Sequence, residues 1–362
     1  MKKHSSKKKA LLIALAVIVV LILSAVGAVY GVTHGFYRSS NYTSDEDAMK
    51  DFTNVGEDTT AEDEVNPEDA TGEVLSDEEQ QELDAKLAEF ADSEPVTNDG
   101  NVYNVLLVGV DRRDKSWAGN SDSMILMSLN YEKKQISMIS LMRDTYVDID
   151  GVGYAKLNAA YAYGAGPLLC QTVTDTFRVQ VDRYVAVDFW SLVDIIDIIG
   201  GVDLEITAKE AEVANGYIND MCERQLNIDP SEHQLPAEGG MVHCDGVQAV
   251  AYARNRYVGN SDFERTQRQR YVLTQLMAEA KQLSVAQLTE KMQAILEHVT
   301  MNIPETEIWS MVTELPEMLD YKFEQVRIPY DDMYDVIYVN GQDMLVPYWE
   351  ETLQKLQEQI YG

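Results

Sequence analysis

The chain has 362 residues, 45% of them apolar, enough for one large or two modest globular domains. Its formal charge is −32, from 61 Asp and Glu against 29 Lys and Arg, which speaks against nucleic acid as a partner. Three cysteines without a C-x-x-C pair, and five histidines at no ligand spacing to them, argue against zinc.

Five lysines, Lys2, Lys3, Lys7, Lys8 and Lys9, precede an uncharged apolar run over residues 10–32. A helix of that length measures roughly 34 Å, enough to cross a bilayer. The lysine asymmetry puts the tail, residues 1–9, in the cytoplasm and everything after residue 32 outside the cell membrane. A cleaved signal peptide is the competing reading, because Ala25-Val-Gly27 resembles a cleavage site, but the run exceeds the roughly 7–15 residues of a signal core. Residues 33–98 are dense in Asp and Glu and read as an acidic extracellular linker. Near its end Ser76-Asp-Glu-Glu79 has the form of a capping box, and Leu83, Leu87 and Phe90 follow at helical spacing.

The folded domain is read as 99–362, with a core at 101–283 and a C-terminal extension at 284–362. Short apolar runs bounded by turn residues predict strands at 103–111, 124–129, 136–141, 183–189 and 324–328. Helical patterns occupy 156–163, 166–177, 191–199, 246–254, 262–283, 284–298, 304–319 and 346–360. Strands interleaved with helices predict an α/β fold: a mixed central β-sheet with helices on both faces, preceded by one transmembrane helix. In an oxidising compartment Cys222 and Cys244, which flank the Gly- and Pro-containing stretch 227–240, are expected to pair, with Cys170 a buried thiol.

Arginine is concentrated against this acidic background. Arg112-Arg113, Arg254-Asn-Arg256 and Arg265-Thr-Gln-Arg268-Gln-Arg270 form three clusters, with Arg143 alone in Leu-Met-Arg-Asp-Thr-Tyr. Planar guanidinium donors match phosphate oxygens, so the set points to a phosphate or diphosphate ligand; ion pairing with the abundant carboxylates is the alternative. Arg254 continues the apolar stripe of Val247, Val250 and Ala251, and Arg265 and Gln269 share a stripe with Val272 and Leu276. Charges on such faces need a buried partner, and an internal carboxylate such as Asp144 or Asp262 would serve as well as a ligand. Asp111 ends the first strand and Asp122 precedes the second, so both can meet at one sheet edge. Two carboxylates plus diphosphate oxygens suit Mg2+, although Asp at a strand end is also a common turn former.

These segments resemble the LytR-CpsA-Psr family of cell-envelope ligases. The likeness runs in order through Asn104-Val-Leu-Leu-Val-Gly-Val-Asp111-Arg-Arg, Ser121-Asp-Ser-Met-Ile, Leu141-Met-Arg-Asp-Thr-Tyr-Val147, Lys156-Leu-Asn-Ala-Ala-Tyr, Gly200-Gly-Val-Asp203, Ala251-Tyr-Ala-Arg-Asn-Arg256 and Asp262-Phe-Glu-Arg-Thr-Gln-Arg-Gln269. The resemblance implies transfer of a phosphorylated glycopolymer (teichoic acid, capsule or another wall polysaccharide) from a polyprenyl diphosphate membrane lipid to peptidoglycan through a phosphodiester bond. It also implies a lipid tail in an apolar tunnel between sheet and helices. By that likeness a magnesium-associated diphosphate is held by Asp111, Asp122, Arg143, Arg254, Arg256, Arg265 and Gln269, with Asp111 and Asp122 as metal ligands. Asp111, Asp122, Arg143 and Arg254 are the expected catalytic set. Asn120 stands where many members carry arginine, so Arg112, Arg113 or Lys115 is expected to supply that diphosphate contact. A polyprenyl-diphosphate hydrolase, a lipid-binding scaffold and a membrane-bound transcriptional attenuator are the other classes; the attenuator requires DNA contact from a domain expected outside the membrane.

Overall fold

The computed structural model describes residues 34, 37, 40–50, 52, 70–112, 117–259, 261–308, 314, 318 and 320–362. The expected tail and membrane helix, residues 1–32, lie outside the described residues, as do Arg113, Lys115 and much of the predicted helix 304–319. In chain order the elements begin with β1 (Asn41–Tyr42), β2 (Glu73–Val74), α1 (Asp77–Ser93), β3 (Val102–Asp111), β4 (Asn120–Asn130), β5 (Gln135–Leu141), β6 (Tyr146–Ile149) and β7 (Gly153–Lys156). There follow α2 (Ala159–Phe177), β8 (Arg183–Asp188), α3 (Phe189–Ile199), β9 (Val202–Thr207), α4 (Ala208–Asp220), β10 (Gly239–Cys244), α5 (Gly246–Ala253) and α6 (Ser261–Gln282). The chain closes with α7 (Val285–Leu296), β11 (Thr300–Met301), β12 (Lys322–Ile328), β13 (Tyr334–Val339), β14 (Gln342–Pro347) and α8 (Trp349–Ile360).

The central sheet has seven strands in the order β1-β11-β8-β3-β4-β5-β12. It is mixed: β3 pairs antiparallel with β4 and parallel with β8, and β5 pairs antiparallel with β4 and parallel with β12. Both faces are covered, which is why these strands are apolar without strict alternation. Tyr184 and Ala186 of β8 join Leu106, Leu126, Ile139, Leu169 and Leu356 in a core beneath α2 and α8. Val185 and Val187, pointing the other way, pack with Ile195, Leu276, Leu296 and Met301 from α3, α6, α7 and β11. A third cluster joins α3, α4, α5 and the β9–β10 hairpin through Ile196, Leu204, Ala214, Ile218 and Val250.

Local chemistry accounts for the departures from the sequence reading. The predicted helix 156–163 starts later, because Gly153–Lys156 is strand β7 paired with β6, and it runs into the next predicted helix across a break at Gly164 and Ala165. The last helix begins at Trp349, since Pro347 closes β14, whose partner β13 was not foreseen. Within the acidic stretch the Ser76–Glu79 capping box does start a helix, α1, whose Leu83 and Leu87 pack near Tyr146. Thr71 binds Asp343 through both its amide and its hydroxyl, so residues 71–93 lie against the domain.

Candidate active site

The site is built where β3 and β4 end. Gly119 has φ of 86°, and a Cβ there would sit 2.6 Å from the Asp111 carbonyl oxygen, so only glycine returns the chain this tightly. The β3–β4 register then breaks: Gly109 pairs with Ser123 and Val110 with Ser121, leaving Asp122 as the extra residue of a bulge. Bulges re-aim side chains, and here the switch sends Ser121 toward α2, with its hydroxyl 3.2 Å from the Asn158 carbonyl. Asp111, Asn120 and Asp122 all line a cavity of about 710 Å³.

Arg143, buried at the end of β5, reaches into the same cavity and donates from Nη1 to Asp122 Oδ1 at 3.0 Å. Its Nε lies 3.6 Å from Asp144 Oδ2, and Asp144 also holds the Lys156 ammonium at 2.6 Å. Asp122, Asp144 and Lys156 thus fix the guanidinium before any ligand arrives.

Arg254 caps the C-terminus of α5. That helix is set by an Asp245–Gln248 capping box and by Gly246, whose close approach to Val193 would not admit a Cβ. The Arg254 guanidinium lies 4.6 Å from the Phe189 ring centre and 5.5 Å from that of Tyr217. Its Nη1 is buried with no hydrogen-bond partner, and neither Asp144 nor any other described carboxylate pairs with it. On α6, Arg265 Nη1 stands 4.0 Å from Asp122 Oδ2, and Gln269, one turn on, lines the cavity. Arg256 and Tyr257 complete the rim, Tyr257 stacking on Tyr217 with ring centres 6.3 Å apart.

All seven described residues expected at the anion site, Asp111, Asp122, Arg143, Arg254, Arg256, Arg265 and Gln269, therefore line one cavity. With Arg224 it gathers five arginines against three aspartates, Asp111, Asp122 and Asp220, in a chain of charge −32. Such a local reversal of sign focuses field on an anion. Burial by itself would raise the Asp122 pKa, but Arg143 and Arg265 outweigh it and hold the carboxyl below its usual range.

Other expectations are corrected. Arg112 does not serve this cavity: its Nη2 binds Asp188 Oδ2 at 2.7 Å and it lines a different one. Arg268 is structural, donating to Glu210 Oε1 at 2.8 Å and to the Asn255 and Val258 carbonyls at 2.9 Å each. Arg270 donates to Ser140 Oγ at 2.6 Å, and burial, with Arg327 nearby, lowers its pKa to about 10. Cys222 and Cys244 are unbonded thiols buried in one apolar cluster, where desolvation raises both pKa values. Phe189, Tyr217, Asp220 and Arg224 were missed; the last three belong to α4 or the turn after it, whose start Thr207-Ala-Lys-Glu210 is itself a capping box.

Asp111 and Asp122 come from neighbouring strands and face one cavity, a pair of hard oxygen donors that fits Mg2+ when phosphate oxygens complete the shell. Among the described residues no group of three or more His, Cys, Asp or Glu forms an all-protein metal cage.

Fold and site together define a layered α/β protein with an arginine-lined cavity at the ends of its central strands. Residues 67–360 match the LytR_cpsA_psr family, and the chain belongs to it. Biofilm regulatory protein A of Streptococcus mutans is 32% identical over 244 residues, 62% of this chain and 55% of that protein, so the chain spans about half the length of this relative. The polyisoprenyl-teichoic acid–peptidoglycan teichoic acid transferase TagU of Enterococcus faecalis is 27% identical over 268 residues, 73% of this chain and 80% of its own length. Bacillus subtilis TagT, solved with bound octaprenyl pyrophosphate lipid, superposes with a TM-score of 0.54 at 22% identity, covering 74% of this chain and 94% of that one; it supports the fold.

Proposed function

We propose that the chain is a membrane-anchored extracellular phosphotransferase that attaches a polyprenyl-diphosphate-linked glycopolymer to peptidoglycan. The observation that carries this reading is the convergence of Arg143, Arg254, Arg256, Arg265 and Gln269 on one cavity, with a buried Arg254 Nη1 that has no acceptor among the described residues. The name of the E. faecalis relative and the lipid bound to TagT support the same substrate class.

In the reaction a sugar hydroxyl of peptidoglycan attacks the glycan-side phosphorus. The new O–P bond forms as the bond from that phosphorus to the bridging oxygen breaks, and polyprenyl monophosphate departs with the bridging oxygen. Charge builds on the departing phosphate, and donors fixed in advance by Asp122 and Asp144 meet it without reorganisation. Asp111 and Asp122 are the carboxylates that face the cavity and could take the hydroxyl proton. Magnesium, when bound, would be held by Asp111 and Asp122 and would neutralise charge on the diphosphate.

The test is covalent product. Purified chain given a polyprenyl-diphosphate glycan and peptidoglycan should yield muropeptides bearing the polymer by mass spectrometry; release of free glycan phosphate alone would favour a hydrolase. The anchoring half of the proposal rests on the lysine-flanked apolar run at residues 10–32. A reporter fused after Gly362 should be active only outside the cytoplasm, and a cytoplasmic signal would overturn that topology.

A further inference from the structure

Two residues on the wall of the arginine-lined cavity have no part in holding a diphosphate. Trp117 and Asn120 stand on either side of the tight turn at Gly119, and both line the cavity. They are 5% and 8% exposed. Trp117 Nε1 and Asn120 Oδ1 are buried, and neither has a hydrogen-bond partner among the described residues. Buried polar atoms are ordinarily satisfied, and an indole N–H usually finds an acceptor once it leaves water. A lone donor and a lone acceptor on one stretch of cavity wall therefore point to a ligand that supplies the partners.

Their chemistry differs from that of the arginines. Neither residue is charged. An indole N–H can only donate and an amide oxygen can only accept, so the pair calls for a neutral group that brings one acceptor and one donor. Asn120 is the cross-strand partner of Asp111. Directly opposed residues of antiparallel strands have Cα atoms about 4.5–5.5 Å apart, so the neutral pair adjoins a carboxylate of the diphosphate site. The same cavity has an aromatic rim in Tyr217 and Tyr257, which gives C–H surface something to lie against. Its volume of about 710 Å³ leaves room for more than the diphosphate.

We propose that Trp117 and Asn120 read the acetamido group of an N-acetylated sugar. A secondary amide offers its carbonyl oxygen to the indole N–H and its own N–H to Asn120 Oδ1, and its methyl can pack on the indole ring. The inference rests on the transferase reading above and adds which sugar the cavity accepts. Two sugars meet at the diphosphate in that reaction, the one it bears and the one whose hydroxyl attacks, and the same amide chemistry serves either.

The experiment is calorimetric titration of the full chain in detergent with two pairs of probes. The donor pair is octaprenyl diphosphate bearing N-acetylglucosamine or glucose. The acceptor pair is a disaccharide-peptide of peptidoglycan and the same fragment with hydroxyls in place of its acetamido groups. Wild type should bind the acetamido member of one pair about tenfold more tightly than its hydroxyl counterpart, and the pair that shows this preference identifies the sugar. Trp117→Phe and Asn120→Leu should each cut the preference to about threefold or less, while the affinity for octaprenyl diphosphate without a sugar stays within about twofold. Equal affinity of the wild type for both members of both pairs would overturn the inference without recourse to a variant. A preference that survives both substitutions, or an equal fall in octaprenyl diphosphate affinity, would overturn it too. A wild type that prefers the acetylated fragment yet does not bind octaprenyl diphosphate leaves the acetamido site standing and sinks the diphosphate reading instead.

Discussion

Arg254 and Arg268 are the same residue type on adjoining elements, and each has a donor buried in the protein, yet they are held in opposite ways. Arg268, 5% exposed, has acceptors for Nε, Nη1 and Nη2 in Glu210, Glu264 and two loop carbonyls. Arg254 has two aromatic rings beside it and a buried Nη1 with no acceptor among the described residues. A buried guanidinium whose donors are met inside the protein belongs to the scaffold; one with an unmet donor on a cavity wall has a donor to offer an external anion.

The largest effect expected from this contrast is on stability. Arg268→Ala strands the buried Glu210 carboxylate and frees the Asn255–Val258 segment that carries Arg256 and Tyr257. Breaking one side of such a buried pair costs roughly 3–5 kcal/mol, so denaturant unfolding should show a loss of that size. Arg254→Ala should behave oppositely: transfer falls more than tenfold, at least about 1.4 kcal/mol of transition-state stabilisation, with no loss of stability. Arg254→Lys should not restore activity, because an ammonium lacks the planar fork. If Arg254→Ala unfolds the protein while Arg268→Ala only slows it, the two roles have been assigned the wrong way round.

Much of this contrast was written in local sequence, and part was not. The strands 103–111 and 136–141 and the arginine clusters could be read because runs buried on both faces are apolar throughout and because cations stand out in an acidic chain. Arg254, Arg265 and Gln269 could be placed near a site because each extends an apolar helical stripe. The division of labour among the arginines was illegible, since Arg112 and Arg268 take partners 76 and 58 residues away in Asp188 and Glu210. Asp122 reaches the cavity through a bulge that a two-residue period cannot register. The expected Cys222–Cys244 disulfide failed because both thiols are packed as apolar groups in one cluster.

The smallest effect concerns Asp122, which stands between the two classes because it positions Arg143 and faces the ligand cavity. Burial pushes its carboxyl upward, but Arg143 and Arg265 reverse the shift, so the folded-state pKa lies below the unfolded value of about 3.9. A depressed carboxylate contributes stability that is fully present above the unfolded pKa and is lost as pH falls through the folded one. Wild type should therefore lose stability in acid faster than Asp122→Asn, the gap between them being widest near neutrality and closing below about pH 4. The amide keeps the shape and still accepts from Arg143, so urea midpoints taken across that range isolate the charge. Parallel curves for the two proteins would mean that the arginines around Asp122 are not held by its charge, and Asp144 would then be the residue that fixes Arg143.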